Sequence, residues 1–590
     1  MKDFLKYTLA TIVGMILVGL VVGIMSVASI VGMLASEQAT QSVEDNSVFV
    51  LSLAGNLQER AQEDIISEIQ GQVNTNLGLD DMLESIRKAK ENDKIKGIYI
   101  EAGIFSADSY ASLQTLRKAL VDFRKSGKWI IAYSDSYEQS TYYICSVADK
   151  VYINPQGRLN WQGLAAQPYF LKDMMAKFGI KFQLVKVGAY KSAPDTYTAD
   201  KMSDANRKQV SDYVFGIWNV ICSDVAASRK LTPAALNTYA DGMMSLQPTE
   251  NYKKDKLVDG LLYADEVRAA IKKKLKIDQD DDIKQITLAE MKNVKSDSNR
   301  DGDEVAVYYL AGDIVDGDVQ ALGSEDVIDA QKVCPDLEDI ANDETVKAVV
   351  LRVNSGGGSA YASEKIWRSI MLLKAKKPVV VSMGGLAASG AYYISAPANW
   401  IVSEPTTLTG SIGIFGLIPD VSGLLTQKLG IKFDEVKTNK NSTFGSVSRP
   451  LSPEEIGTMQ EYVNMGYTLF RSRVAQGRKM TVQDVEKIAG GHVWLGNAAL
   501  GIKLVDQLGG LDEAVAKAAK LAKMSTYHTA NYPAPLSWME QLTSPESKHS
   551  YLDGQLHAAM GDFYEPMMML RNINNQSTLQ ARIPYGIKVR

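Results

Sequence analysis

An α/β fold laid down twice in tandem is the architecture this sequence predicts, and three observations predict it. Short β-branched runs bounded by glycine alternate with helical stretches along the body, the pattern of α/β layers with a largely parallel sheet. Four sequence blocks recur in the same order at a nearly constant offset. The chain, at 590 residues, is also too long for a single hydrophobic core.

The first element is a membrane anchor. Residues 7–36 contain neither a charge nor a proline. They exceed the roughly 20 apolar residues that span a bilayer and the about 7–15 of a cleaved signal peptide's apolar region. Lys2 and Lys6 precede the span, and Glu37, Glu44 and Asp45 follow it. The positive-inside tendency therefore puts the N-terminus in the cytoplasm and the rest of the chain outside it. Later apolar runs are short and strand-like, so a single-pass protein with a large soluble body is expected.

The body is a duplication. KGIYIEAGIFSADSYASLQTLRKAL from Lys96 corresponds to KAVVLRVNSGGGSAYASEKIWRSI from Lys347, with Tyr110-Ala111-Ser112 falling on Tyr361-Ala362-Ser363 at an offset of 251. Tyr142-Tyr143-Ile144 falls on Tyr392-Tyr393-Ile394 at an offset of 250. KFGIKFQLVKV from Lys177 falls on KLGIKFDEVKT from Lys428, and Lys256-Leu257-Val258-Asp259 on Lys503-Leu504-Val505-Asp506. The first half is drawn at 47–293 and the second at 305–524. In the second, EVAVYYLAG, KAVVLRV and KPVVVSMGG read as buried strands, and SAYASEKIWRSIMLLKAK as a helix with apolar residues three and four apart.

Between the halves, 294–304 is a polar linker. Its Asp297-x-Asn299-x-Asp301-Gly302 imitates an EF-hand loop, but the twelfth position is Tyr308 instead of the bidentate Glu, so no calcium site is expected. The tail, 525–590, matches nothing. Its ending ARIPYGIKVR reads either as a strand at a subunit interface or as disordered chain.

Composition narrows the chemistry. A net charge of −5 gives no reason to expect nucleic acid. Cys145, Cys222 and Cys334 share no metal-ligand spacing and read as buried free thiols. The four histidines, His492, His528, His549 and His557, all fall in the last hundred residues, and His492 reads as structural or as a surface residue. A hydrolase here needs a base other than imidazole.

Three glycine-rich elements crowd the second half: Asn354-Ser355-Gly356-Gly357-Gly358-Ser359, the run from Ser382 to Gly390, and Thr407-Leu408-Thr409-Gly410-Ser411-Ile412-Gly413. Glycine after a strand lets backbone N–H groups approach a ligand, and a small-residue turn presents a serine beside them. Those are the parts of an acyl-transfer site, although such loops also bind phosphate or simply turn the chain.

GGLAASGAYYIS, LRVNSGGGSAYAS and TLTGSIGIFG resemble the signature segments of the signal peptide peptidase A (protease IV) family in its long, duplicated form. The resemblance extends from the anchor through both halves to VWLGNAALGIKLVDQLGG. It implies a crotonase/Clp-protease-like α/β domain in each half and a Ser–Lys peptidase that needs no cofactor. By resemblance the nucleophile is Ser389, the general base is Lys191 in VGAYKSAPD, and Ser411 positions that lysine. The oxyanion donors are backbone N–H groups around Gly357 and of Gly390. The resemblance further implies residual signal peptides as substrates, a homotetrameric bowl, and a place on the outer side of a bacterial inner membrane. One departure is Gly356, which stands where the family usually has proline.

The duplication bears on this assignment independently. The position matching Ser389 is Gln139, and the position matching Lys191 is Ser442. Each half lacks what the other keeps, so Lys191 is expected to reach Ser389 across the boundary between halves. Lysine, with a pKa of about 10.4, becomes a base at neutral pH once burial disfavours its ammonium form. The rival readings are a crotonase-like acyl-CoA enzyme, which uses paired glycine N–H donors without a serine nucleophile, and an inactive membrane-anchored scaffold.

Overall fold

The β-branched runs form strands buried on both faces, as a parallel sheet covered by helices requires. The computed structural model describes residues 41–61, 76–295, 302–317, 327–534 and 579–582, with scattered positions between 6 and 19. The expected anchor at 7–36 and most of the linker lie outside the described residues. Among those described, no helix is long and apolar enough to cross a membrane.

Each half carries its own sheet. In the first, the strands run in the order Asn76–Gly78, Ser47–Gln58, Ile95–Ala107, Trp129–Tyr137, Lys150–Leu159 and Gly260–Leu261, all pairs parallel. In the second, the order is Val493–Leu495, Leu408–Gly410, Val379–Ala388, Val346–Ser355, Asp303–Ala311 and Tyr527–Tyr532, parallel except at the Val493–Leu495 edge. The second half thus reaches Tyr532, past the boundary drawn at 524, because that strand completes its sheet. Tyr308, the EF-hand mimic's twelfth position, is buried in the strand Asp303–Ala311.

The duplication extends to the helix ends. Asp204–Arg229 and Pro453–Arg478 are both 26 residues long. Each begins at a capping serine, Ser203 or Ser452, and ends at a left-handed lysine, Lys230 or Lys479.

A third sheet joins the halves. Its order is Val327–Asp329, Asp313–Val315, Gly357–Ser359, Leu579–Arg582, Phe415–Asp420 and Lys181–Lys186. The last two pair antiparallel from Phe415↔Lys186 to Asp420↔Lys181, so a first-half strand is stitched to a second-half one. The cores interlock as well. Leu408, Val493 and Leu495 are buried in the first-half core, and Val185 in the second-half core. Arg352 and Glu59 add a buried bidentate ion pair across the boundary, with both N···O distances 2.8 Å.

One repeat block does not repeat structurally. KFGIKFQLVKV supplies the strand Lys181–Lys186, but its counterpart at 431–437 is in neither helix nor strand and lies exposed. The first-half counterpart of Phe415–Asp420, residues 164–169, is likewise in no strand.

Candidate active site

Ser389 sits where the strand Val379–Ala388 turns into the helix Gly390–Ser395. Its backbone has φ +57° and ψ −116°, a conformation that costs a non-glycine residue about 1–3 kcal/mol and is typical of functional turns. Two bonds hold it: Ser389 N–H donates to the Gly410 carbonyl at 2.8 Å, and Tyr393 N–H to the Ser389 carbonyl at 2.8 Å. The hydroxyl is fully buried.

Lys191 comes to it through the third sheet. Pairing of Lys186 with Phe415 brings the loop that follows Lys181–Lys186 against the residues that precede Phe415. Val187 N–H donates to the Ile414 carbonyl at 3.3 Å, and Tyr190 N–H to the Gly490 carbonyl at 3.1 Å. Lys191 Nζ then stands 2.5 Å from Ser389 Oγ, 3.0 Å from Ser411 Oγ and 3.1 Å from the Ser411 carbonyl oxygen. These three partners match an uncharged amine. Its two N–H groups serve the Ser411 carbonyl and hydroxyl oxygens, leaving the lone pair for the Ser389 O–H. Burial holds the Lys191 pKa well below the ordinary lysine range.

The lysine is fixed by close backbone approach. Gly491 has φ +84°, and a Cβ there would stand 2.5 Å from Lys191 N and 2.6 Å from Lys191 Cβ. A Cβ on Gly413 would come within 3.3 Å of Lys191 Cδ. From the helix Asp204–Arg229, Gln209 Nε2 donates to the Tyr190 carbonyl at 2.9 Å and Ser192 Oγ at 3.1 Å, while its Oε1 accepts from Val493 N–H at 3.2 Å. Gln209 therefore ties the lysine loop to the second-half sheet. Neither Gly491 nor Gln209 is singled out by sequence reasoning, although the Gly490-Gly491 doublet is a signal of tight backbone approach.

Gly357 and Gly390, the expected oxyanion donors, come together. Gly357 has φ +101°, and a Cβ on it would stand 2.8 Å from Gly390 N. Gly357 N–H also donates to Ser355 Oγ at 3.1 Å. Ser411, at φ +49°, is pinned by its N–H to the His492 carbonyl at 2.7 Å. The His492 ring is buried against Tyr190 and Trp494, and burial lowers its pKa to about 4. It is neutral at physiological pH.

The duplicate positions are built differently. Gln139 is buried with its amide engaged: Nε2 donates to the Gly163 carbonyl at 3.2 Å, and Oε1 accepts from Gly163 N–H at 3.0 Å. Ser442 is exposed and bonded within its own turn, to Asn439. The first half presents no hydroxyl at its elbow, and the second presents no amine.

A tandem α/β fold that brings a hydroxyl, an uncharged amine and glycine amides into one crevice belongs to the class of serine hydrolases. Comparison with known proteins makes the class specific. Peptidase family S49 matches residues 122–278 and 371–525, once in each half. Over 508 residues the chain is 35% identical to Protease 4 of Salmonella typhi, covering 85% of this chain and 80% of that one. It is 30% identical to Protease 4 of Haemophilus influenzae, covering 84% and 83% of the two chains. To the chloroplastic serine protease SPPA of Arabidopsis thaliana it is 30% identical, covering 82% and 70%. The chain belongs to peptidase family S49, in the long duplicated form, and is a serine protease. The acyl-CoA and scaffold readings fall with that membership.

Proposed function

We propose that this protease uses Ser389 as nucleophile and Lys191 as general base, with Ser411 orienting the lysine and the amides of Gly390 and the Gly357 loop receiving the oxyanion. The observation that carries this reading is the 2.5 Å approach of a fully buried Lys191 Nζ to Ser389 Oγ. Lys191 takes the Ser389 proton as Oγ attacks the scissile carbonyl, and returns it to the leaving amine. A water deprotonated by the same lysine then releases the acyl group. Use of the Gly357 amide requires it to exchange or share its bond to Ser355 Oγ. Labelling of the full chain with a serine-reactive phosphonate, followed by peptide mapping, tests the assignment. Modification at Ser389, lost in Lys191→Ala, is expected; modification elsewhere contradicts it.

The substrates proposed are residual signal peptides, met at the outer face of a bacterial inner membrane by an enzyme anchored through residues 7–36. Support comes from the apolar N-terminal run and its flanking charges. The working assembly proposed is a homotetramer. What favours self-association is the pair of unmatched repeat segments: 431–437, with Ile431, Phe433 and Val436 exposed, and 164–169, with Tyr169 exposed. Their counterparts Lys181–Lys186 and Phe415–Asp420 pair with each other inside the chain. Pairing 431–437 of one copy with 164–169 of the next repeats that contact head to tail, and such an interface closes into a ring.

A further inference from the structure

The strand Leu579–Arg582 lies in the one place of the third sheet where an extended peptide meets the candidate site. On one side it pairs antiparallel with Gly357–Ser359, through Gly357↔Arg582, Gly358↔Ala581 and Ser359↔Gln580. On the other it pairs antiparallel with Phe415–Asp420, through Phe415↔Gln580 and Gly416↔Leu579. The two flanking strands belong to the body, and the tail strand fills the gap between them. Gln580 and Ala581 are buried there, Ala581 at 1% exposure.

The register is that of a substrate. A Cβ on Gly357 would stand 1.9 Å from the Ala581 carbonyl oxygen, and a Cβ on Gly390 would stand 3.3 Å from the same atom. That oxygen therefore occupies the crevice between the two glycines whose amides are the expected oxyanion donors. Gly390 immediately follows Ser389. The residue on the acyl side, alanine, is the smallest that carries a Cβ. The 44 residues between Ala534 and Leu579 give ample reach for the tail to arrive from its own body.

We infer that the chain's own tail is a substrate of its active site, cut within the same molecule between Ala581 and Arg582. This rests on the assignment of Ser389 and Lys191 made above. Ser389 Oγ bonds to the Ala581 carbonyl carbon and its proton passes to Lys191. The C–N bond to Arg582 breaks, and Lys191 delivers the proton to the Arg582 nitrogen, releasing the residues from Arg582 onward. Water then attacks the Ala581 ester, loses a proton to Lys191 and frees Ser389, leaving a chain that ends in the Ala581 carboxylate. The same register defines the foreign peptides the cleft takes: extended between two strands, with a small side chain on the acyl side of the cut bond.

The test is the intact mass of the full chain, purified in detergent as wild type and as Ser389→Ala, with hydrolysis of an added fluorogenic peptide carrying alanine at the cut site measured in parallel. The inference expects wild type to end at Ala581 and Ser389→Ala to keep the tail. Ser389→Ala incubated with wild type should also keep its tail. Loss of the tail from that mixed sample overturns cleavage within one molecule, and a cut at any other bond overturns the register. A wild type that hydrolyses the peptide but retains Arg582 overturns self-cleavage while leaving the peptidase assignment standing. If neither peptide nor tail is cut by wild type, the assignment itself fails and the inference with it.

Discussion

At the scale of the residue, the chemistry turns on how a lysine comes to be uncharged. Lys191 has no carboxylate against its amine; its three partners are hydroxyl and carbonyl oxygens of Ser389 and Ser411. Burial lowers its pKa, and nothing nearby restores it. On the proposed mechanism kcat/KM rises with pH as Lys191 deprotonates, and levels off well below the ordinary lysine pKa of about 10.4. A profile that climbs throughout to that value contradicts the proposal. The same shift acts on stability. Between the lowered folded pKa and the unfolded one, the unfolded chain binds the extra proton. Stability therefore rises with pH across that window, by about 1.4 kcal/mol per pH unit. Lys191→Met removes this slope and raises the melting temperature at neutral pH while abolishing activity, which thermal melts at several pH values will show.

At the scale of the element, the site is a meeting of strand ends and glycine turns, and this decides what the sequence reveals. Ser389 and Ser411 are legible because each follows a glycine-rich stretch after a β-branched run. Lys191 is legible because the duplication leaves Ser442 at its matching position. Gln209 and Gly491 are not, because their partners lie in other elements: Gln209 bonds Val493, and Gly491 faces Lys191. The four-residue strand Leu579–Arg582 is too short for periodicity to declare it. The block at 431–437 reads as a strand by repetition yet is not one, because a strand needs a partner and the matching one at 164–169 is elsewhere. Gly491→Ala tests the close approach. The added Cβ overlaps Lys191, and φ +84° strains any side chain. A destabilisation of about 1–3 kcal/mol is expected. With it, kcat should fall at least about tenfold and KM change little, as for an interaction made only in the transition state. Wild-type kinetics in this variant would show that the glycine does not hold the lysine.

At the scale of the whole molecule, the halves are two incomplete copies joined into one working unit. The stitched strands, the shared cores and the Arg352–Glu59 pair hold them in register. Removing one partner of that buried pair, as in Glu59→Gln, leaves a buried charge uncompensated and is expected to cost about 3–5 kcal/mol, read from denaturant unfolding. Outside the single chain, the exposed 431–437 segment is where the proposed ring closes. Phe433→Asp, at an exposed position of that segment, should convert the assembly to smaller species in light scattering coupled to gel filtration, with the fold intact by circular dichroism. An unchanged assembly mass would move the interface elsewhere.

The most direct test of an active site shared between halves is peptide hydrolysis by the full chain as wild type, Ser389→Ala and Lys191→Ala, with folding and assembly verified for each. Ser389→Ala should fall to background, and Lys191→Ala should lose about 10²–10⁴-fold or more, the worth of a general base. Near-wild-type activity in Lys191→Ala would mean that the base lies within the second half, and that the two halves do not build the site together.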